Sequence, residues 1–272
     1  MDVTLELAQY TGRALNEVRV GWRFGPAAGS ALVSGRLDRA SVPIGLVTAG
    51  VVRLGSVPGP VPARWTLEVD VAARDHATCH AATNSWDVWI FPDDPPCPVP
   101  AGLTLVRELD DTALAALGRG EAVLLCAPPN SVRTDVELGF SSVFWNTAWT
   151  RGQPPHTLGL LCDPSHPALS LFPTDGHSDW QWWELVRGAT AMVLDELPVE
   201  LRPIVQPIDT WFRSHRLGLL FEARVAGGRL AVCSMDLDRD LDTRPAARQF
   251  RRSLFSYLSS SAFAPRTEIA VE

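Results

Sequence analysis

The side chains best suited to chemistry in this chain gather between residues 145 and 211. His156, His166 and His177 stand near Asp163, Asp175 and Asp179, a combination able to hold a metal ion or pass protons. The plainer reading is that they hydrogen-bond loop backbone. The stretch "TDGHSDWQWWELV", residues 174–186, adds indoles at Trp180, Trp182 and Trp183. An indole is a large flat apolar group that fills a core or stacks on a sugar ring. With 10 tryptophans against 2 tyrosines, such faces are abundant.

Nucleophilic and metal chemistry find less support. Cys126, in "LLCAPP", closes an apolar run where a strand-end nucleophile would sit. The alanine and prolines after it cannot supply the tight turn and free amides of an oxyanion hole. Cys162 and Cys233 also end apolar runs, where a free thiol behaves as a small hydrophobe. "HATCH", with His76, Cys79 and His80, lacks the second ligand pair of a structural zinc site, so no metal or other cofactor is expected. Spacing leaves open whether Cys79 and Cys97 pair. There is no G-x-S-x-G, G-x-G-x-x-G or H-E-x-x-H motif. All 24 basic residues are arginine, which excludes Schiff-base and Walker-lysine chemistry. No two carboxylates share an apolar setting that would split their pKa values for acid–base work on a glycosidic bond.

The indole stretch reads as a short helix from about 179 to 187. Ser178 with Gln181 three residues on forms a capping box, Asp179 suits the positive helix end, and Gly188 is the stop. Helical spacing puts Trp182, Leu185, Val186 and Ala189 on one face, expected in the core. Trp180, Trp183, Glu184 and Arg187 share the other face, where an indole can be half exposed.

Around this helix the character of the chain changes near residue 86. Residues 1–85 alternate with period two. "EVRVGWRF" places Val18, Val20, Trp22 and Phe24 on one face, and "ARWTLEVDV" places Ala63, Trp65, Leu67, Val69 and Val71 on one face. Short strands between Gly, Pro and Ser turns describe an antiparallel β-sandwich. Residues 86–272 read as an α/β domain with a mainly parallel sheet. "WDVWIF", "EAVLLCAP", "TLGLLCD" and "TAMVLDEL" are its buried strands, and "DDTALAALGRG" is a helix between the first two. "RLGLLFEARVAGGRLAVCSMDL" is a pair of strands joined by an Ala-Gly-Gly turn. "RPAARQFRRSLFSYL" closes the chain as a helix with Pro245 in its first turn and a stripe at Ala247, Phe250, Leu254 and Tyr257. Residues 130–156 have little period, as functional loops often do.

The net charge of −7 and the lack of a basic run argue against nucleic acid and anionic membranes as partners. No apolar run reaches the length of a membrane span, and "MDVTLELAQY" is not a signal peptide, so the chain as given reads as cytoplasmic.

"NSWDVWIFP", the run from "FSSVFWNTAWTRGQPPH" to "DGHSDWQWWELV", "VQPIDTWF", "LLFEARVAGGRLAVCSMDL" and "RPAARQFRRSLFSYL" together resemble the C-terminal region of bacterial glycoside hydrolase family 2 proteins of the β-galactosidase type. Many such relatives are exported. The resemblance implies an immunoglobulin-like β-sandwich followed by an α/β domain similar to class I glutamine amidotransferases, a flavodoxin-like fold. These enzymes cut with two glutamates on a (β/α)8 barrel of about 250 residues, which this chain cannot hold beside two other modules. The expected role is therefore a non-catalytic accessory portion of a glycosidase, serving docking, assembly or the rim of a sugar site, with oligomerisation possible. A free-standing carbohydrate-binding protein is the alternative. Trp145, Trp149, Trp180, Trp183 and Trp211 would be its stacking platforms, and Asn146, His156, His177 and Asp209 would bond sugar hydroxyls. A second alternative is an independent hydrolase around His156, His166 and His177.

Overall fold

A computed structural model describes residues 1–272 apart from 28, 30, 56–58, 60, 76–77, 133, 141–156 and 271–272. The chain divides into two compact units, Met1–Ile90 and Phe91–Glu272, each built mainly of strands.

The first unit contains β1 (Asp2–Gln9), β2 (Leu15–Pro26), β3 (Val33–Val42), β4 (Gly45–Arg53), β5 (Ala63–Asp75) and β6 (Thr78–Ile90). β1 pairs with β4, and β3, β2, β5 and β6 form a second sheet in that order, with every ladder antiparallel. Period-two patterning sorts the side chains: Val18, Val20, Phe24, Trp65, Leu67 and Val69 are buried, while Arg19, Arg23 and Asp70 are exposed. Leu5, Ala49 and Val52 of the smaller sheet join the same core, which makes the unit a β-sandwich. "WDVWIF" does not begin the following domain. Its first residues complete β6, held against β5 as far as Ala63↔Ile90, and Trp86 is exposed. The dense apolar run looks like a strand covered on both faces, but a long antiparallel partner captures it.

The second unit contains β7 (Leu103–Val106), α1 (Asp111–Gly118), β8 (Ala122–Cys126), β9 (Gly159–Cys162), α2 (Trp182–Val186), β10 (Met192–Val193), β11 (Val205–Ile208), β12 (Leu217–Gly218), β13 (Leu220–Val225), β14 (Gly228–Cys233) and α3 (Pro245–Leu258). The Asp110 carboxylate accepts the Ala113 N–H at 2.8 Å and so opens α1. Pro245 occupies the first turn of α3. The main sheet runs β7-β8-β14-β13-β11-β9. α1 packs on one face through Ala116 and Leu117, and α3 on the other through Ala247, Phe250 and Leu254.

Strand direction corrects the expectation of a mainly parallel sheet. Only the β7/β8 and β8/β14 ladders are parallel, and the other three are antiparallel. The cause is local. Ala226 and Gly227 both take positive φ, 51° and 87°, so the chain folds straight back as a hairpin where a crossover helix would have kept strands parallel. "TAMVLDEL" supplies only the two residues of β10, which pair with β12 outside the main sheet. Pro207 offers no N–H to a ladder, and β11 meets β13 in register only at Val205↔Leu220.

Candidate functional site: an aromatic end of the second unit

The exposed aromatic side chains are organised where β9 begins and β11 stops. Gly159 faces Ile208 across the ladder, and the Leu158 N–H donates to the Ile208 carbonyl at 2.8 Å. Residues 135–140 are tied to this end. The Thr157 N–H donates to the Glu137 carbonyl at 3.0 Å, the Gly139 N–H to Thr157 Oγ1 at 3.0 Å, and Arg213 Nη1 to the Asp135 carbonyl at 2.9 Å. Along the outer side of β9, His177 bridges to Leu161, and the Gly176 carbonyl accepts the Cys162 N–H at 3.1 Å.

On this frame the three clustered indoles separate as helical spacing requires. Trp182 is fully buried, edge-on to Phe172 at 5.2 Å and Phe250 at 5.7 Å, and its indole N–H donates to Thr174 Oγ1 at 2.9 Å. Leu185 and Val186 are buried beside it. Trp180 is 75 % exposed and Trp183 45 % exposed, and Phe140 joins them with ring centroids at 5.9 and 5.5 Å. Trp183 and Phe140 flank a cleft of about 400 Å³ that also includes Val136, Glu137 and Arg187.

The turn before the helix is built differently from the expected capping box. Asp179, rather than Ser178, accepts the Gln181 N–H at 3.1 Å, and its second oxygen accepts from Gln181 Nε2 at 3.1 Å and Thr174 Oγ1 at 3.3 Å. Burial raises the pKa of its carboxyl against the effect of these bonds. α2 proper is shorter than expected, Trp182–Val186, and Gly188 ends it with φ +89°. Glu184 accepts the Ala246 and Ala247 N–H groups at 3.0 and 3.3 Å, which satisfies orphan donors in the first turn of α3.

A second aromatic pair stands on the loop after β11. Trp211 and Phe212 are both more than half exposed, with centroids 5.4 Å apart. Asp209 is turned into its own loop. Its side chain is 1 % exposed and accepts the Thr210 N–H at 2.8 Å, Arg213 Nη2 at 3.2 Å and the His215 N–H at 3.0 Å. Its role is to hold the loop that displays Trp211 and Phe212. His177 is exposed. Trp145, Asn146, Trp149 and His156 lie outside the described residues. The sequence reading missed Phe140 and Phe212, which sit in stretches without period.

The alternative chemistries meet obstacles. His166 Nδ1 accepts the Ala168 N–H at 3.2 Å and so caps a helical turn, and burial lowers its pKa. Among the described residues no group of three or more His, Cys, Asp or Glu is placed to hold a metal ion, and no helix is long and apolar enough to cross a membrane. Burial pushes the Cys126 thiol up to about 12 and the Cys162 thiol to about 11, and raises that of Cys233 as well. A nucleophile must be thiolate near neutral pH, and these are not. At pH 8 a thiol reagent such as 5,5′-dithiobis(2-nitrobenzoate) is expected to modify the partly exposed Cys97 while sparing Cys126, Cys162 and Cys233 in the folded chain. Peptide mapping checks this, and equal rates at Cys126 and Cys97 would restore a nucleophile.

Residues 104–272 match a family described as "Domain of unknown function (DUF8487)", and residues 1–92 match another described as "Domain of unknown function (DUF8488)". No curated protein matches the chain.

Proposed function

We propose that this chain, which belongs to the DUF8487 family, is a non-catalytic carbohydrate-recognising unit of the accessory kind associated with β-galactosidase-type glycosidases. The observation that carries the reading is the separation of adjacent indoles: Trp182 is locked in the core while Trp180 and Trp183 are presented to solvent, Trp183 at the wall of a cleft. Exposed flat apolar faces on a hydrogen-bonded frame are what stacking on a sugar ring requires, and Trp211 with Phe212 supplies a second such face. The sequence likeness to family 2 glycoside hydrolases supports sugar as the ligand class. The buried, protonated thiols and the capping role of His166 support recognition without turnover. In this reading the first unit is an immunoglobulin-like support module.

The test follows tryptophan fluorescence during titration of the purified chain with galacto-, gluco- and xylo-oligosaccharides. A saturable change is expected with at least one of them, and the Trp180→Ala/Trp183→Ala variant should weaken binding by about tenfold or more. A flat response to all three would sink the proposal. Turnover of a chromogenic glycoside by the purified chain would replace recognition with catalysis.

A further inference from the structure

A second, polar pocket of about 260 Å³ lies in the same unit at the carboxyl ends of β8 and β14, lined by Arg107, Cys126, Ser234, Asp236, Asp238 and Arg239 among others. Its position has a topological cause. β8 and β14 are parallel neighbours; the chain leaving β8 packs Val132 on the α1 face of the sheet, and the chain leaving β14 packs Met235 and Leu237 on the opposite, α3 face. A crevice opens at the strand ends where the chain leaves to opposite faces, the usual place for a ligand in an open sheet of this kind.

The pocket wall carries two guanidinium groups, on Arg107 and Arg239, and two carboxylates, on Asp236 and Asp238. Asp236 accepts the Asp238 and Arg239 N–H groups at 3.1 Å each and Arg239 Nε at 2.6 Å, with Arg244 Nη1 3.6 Å away. Asp238 accepts Arg107 Nη2 at 2.7 Å and pairs with Arg251 through its other oxygen. Arg244 and Arg251 stand behind this wall and pair with the same carboxylates, so the cluster as a whole has four guanidinium groups to two carboxylates, an excess of two positive charges in a chain whose net charge is −7. Arg251 and Arg244 are largely buried, whereas Arg107 and Arg239 are 62 % and 69 % exposed, at the mouth. A guanidinium has five N–H donors, and the bonds above use one on Arg107 and one on Arg239. Ser234 is 2 % exposed, lines the pocket, and its hydroxyl has no hydrogen-bond partner. A buried hydroxyl left unbonded costs free energy that a ligand atom would recover.

We propose that this pocket binds a small anion, the carboxylate or phosphate group of a metabolite-sized molecule, with Arg107 and Arg239 as its charge partners and Ser234 Oγ as its buried hydrogen-bonding partner. The pocket lies just under the roughly 300–1,000 Å³ of sites for drug-sized ligands, which sets the size class. The pocket meets the aromatic cleft at Gly188, which lines both, but Arg107, Arg239 and Ser234 line only the polar pocket, so variants at those three test this proposal and not the other.

The full chain is titrated calorimetrically with inorganic phosphate and, separately, with succinate, at ionic strength held constant with sodium chloride. Saturable binding of at least one anion is expected; phosphate alone assigns a phosphate ligand, and succinate alone a carboxylate. The Arg107→Gln/Arg239→Gln variant should bind about tenfold or more weakly. Ser234→Ala should also weaken binding several-fold while leaving the melting temperature of the free protein unchanged or raised, because it removes an unsatisfied hydroxyl. No saturable binding of either anion, or wild-type affinity in both variants, would overturn the proposal.

Discussion

Replacing Trp182 by alanine is expected to destabilise the second unit by about 3–5 kcal/mol, the cost of deleting a fully buried aromatic side chain and leaving a cavity. The indole packs on both Phe172 and Phe250, which also meet each other edge to face, so its loss strips contacts from α2 and from the sheet-facing side of α3 together. It also leaves Thr174 Oγ1 without the N–H it accepts. For a unit of this size that is a fall in melting temperature of roughly 10 °C, followed by circular dichroism. Trp180→Ala, two residues away but exposed, should stay within about 0.5 kcal/mol of the parent. Equal losses in the two variants would mean that the buried and exposed indoles have been misassigned.

Gly228→Ala should be nearly as damaging, at about 3 kcal/mol or more, by overpacking. A Cβ at this position would stand 2.5 Å from the Leu117 carbonyl oxygen and 2.6 Å from its Cα. These are backbone atoms, which cannot rotate aside as a flexible side chain would. α1 would have to lift from β14 and open the packing of Ala116 and Leu117 on Leu230 and Val232. Gly118→Ala, where a Cβ meets nothing within 4 Å, is the control and should be close to neutral. Urea midpoints of the two variants decide the matter; a Gly228→Ala midpoint like that of Gly118→Ala would refute the close approach.

What could be read from the sequence was what depends on near neighbours. Period-two runs located β2 and β5, Asp110 and Pro245 located helix starts, and helical spacing separated Trp182 from Trp180 and Trp183. Strand direction was less legible because it depends on partners far along the chain: β14 takes β8 on one side and β13 on the other, in opposite senses. Asp209 and Asp179 illustrate the same limit at the candidate site. An aspartate in a polar loop looks free to meet a ligand or the end of a helix, yet which donors fold back onto its oxygens is fixed only when the loop closes. The arginine-rich pocket escaped notice for the same reason. "CSMDLDRD" marks its carboxylates, but Arg107 and Arg251 arrive from elsewhere in the chain.

Pro207 gives the second unit a line of weak cooperativity. The outer ladder of β9 and β11 meets β13 at one register pair and its flanking bonds, Ile204 N–H to the Leu220 carbonyl and Leu219 N–H to the Val205 carbonyl, with one isolated bridge more at Ile208↔Arg216. By contrast, β8, β14 and β13 are laced together along their length. The outer ladder can therefore open as its own subglobal unit, with amide protons exchanging there while those of the inner strands wait for complete unfolding. The loop that displays Trp211 and Phe212 would breathe with that ladder, while Trp180 and Trp183 stay beside α2, which Trp182 and Glu184 hold to α3.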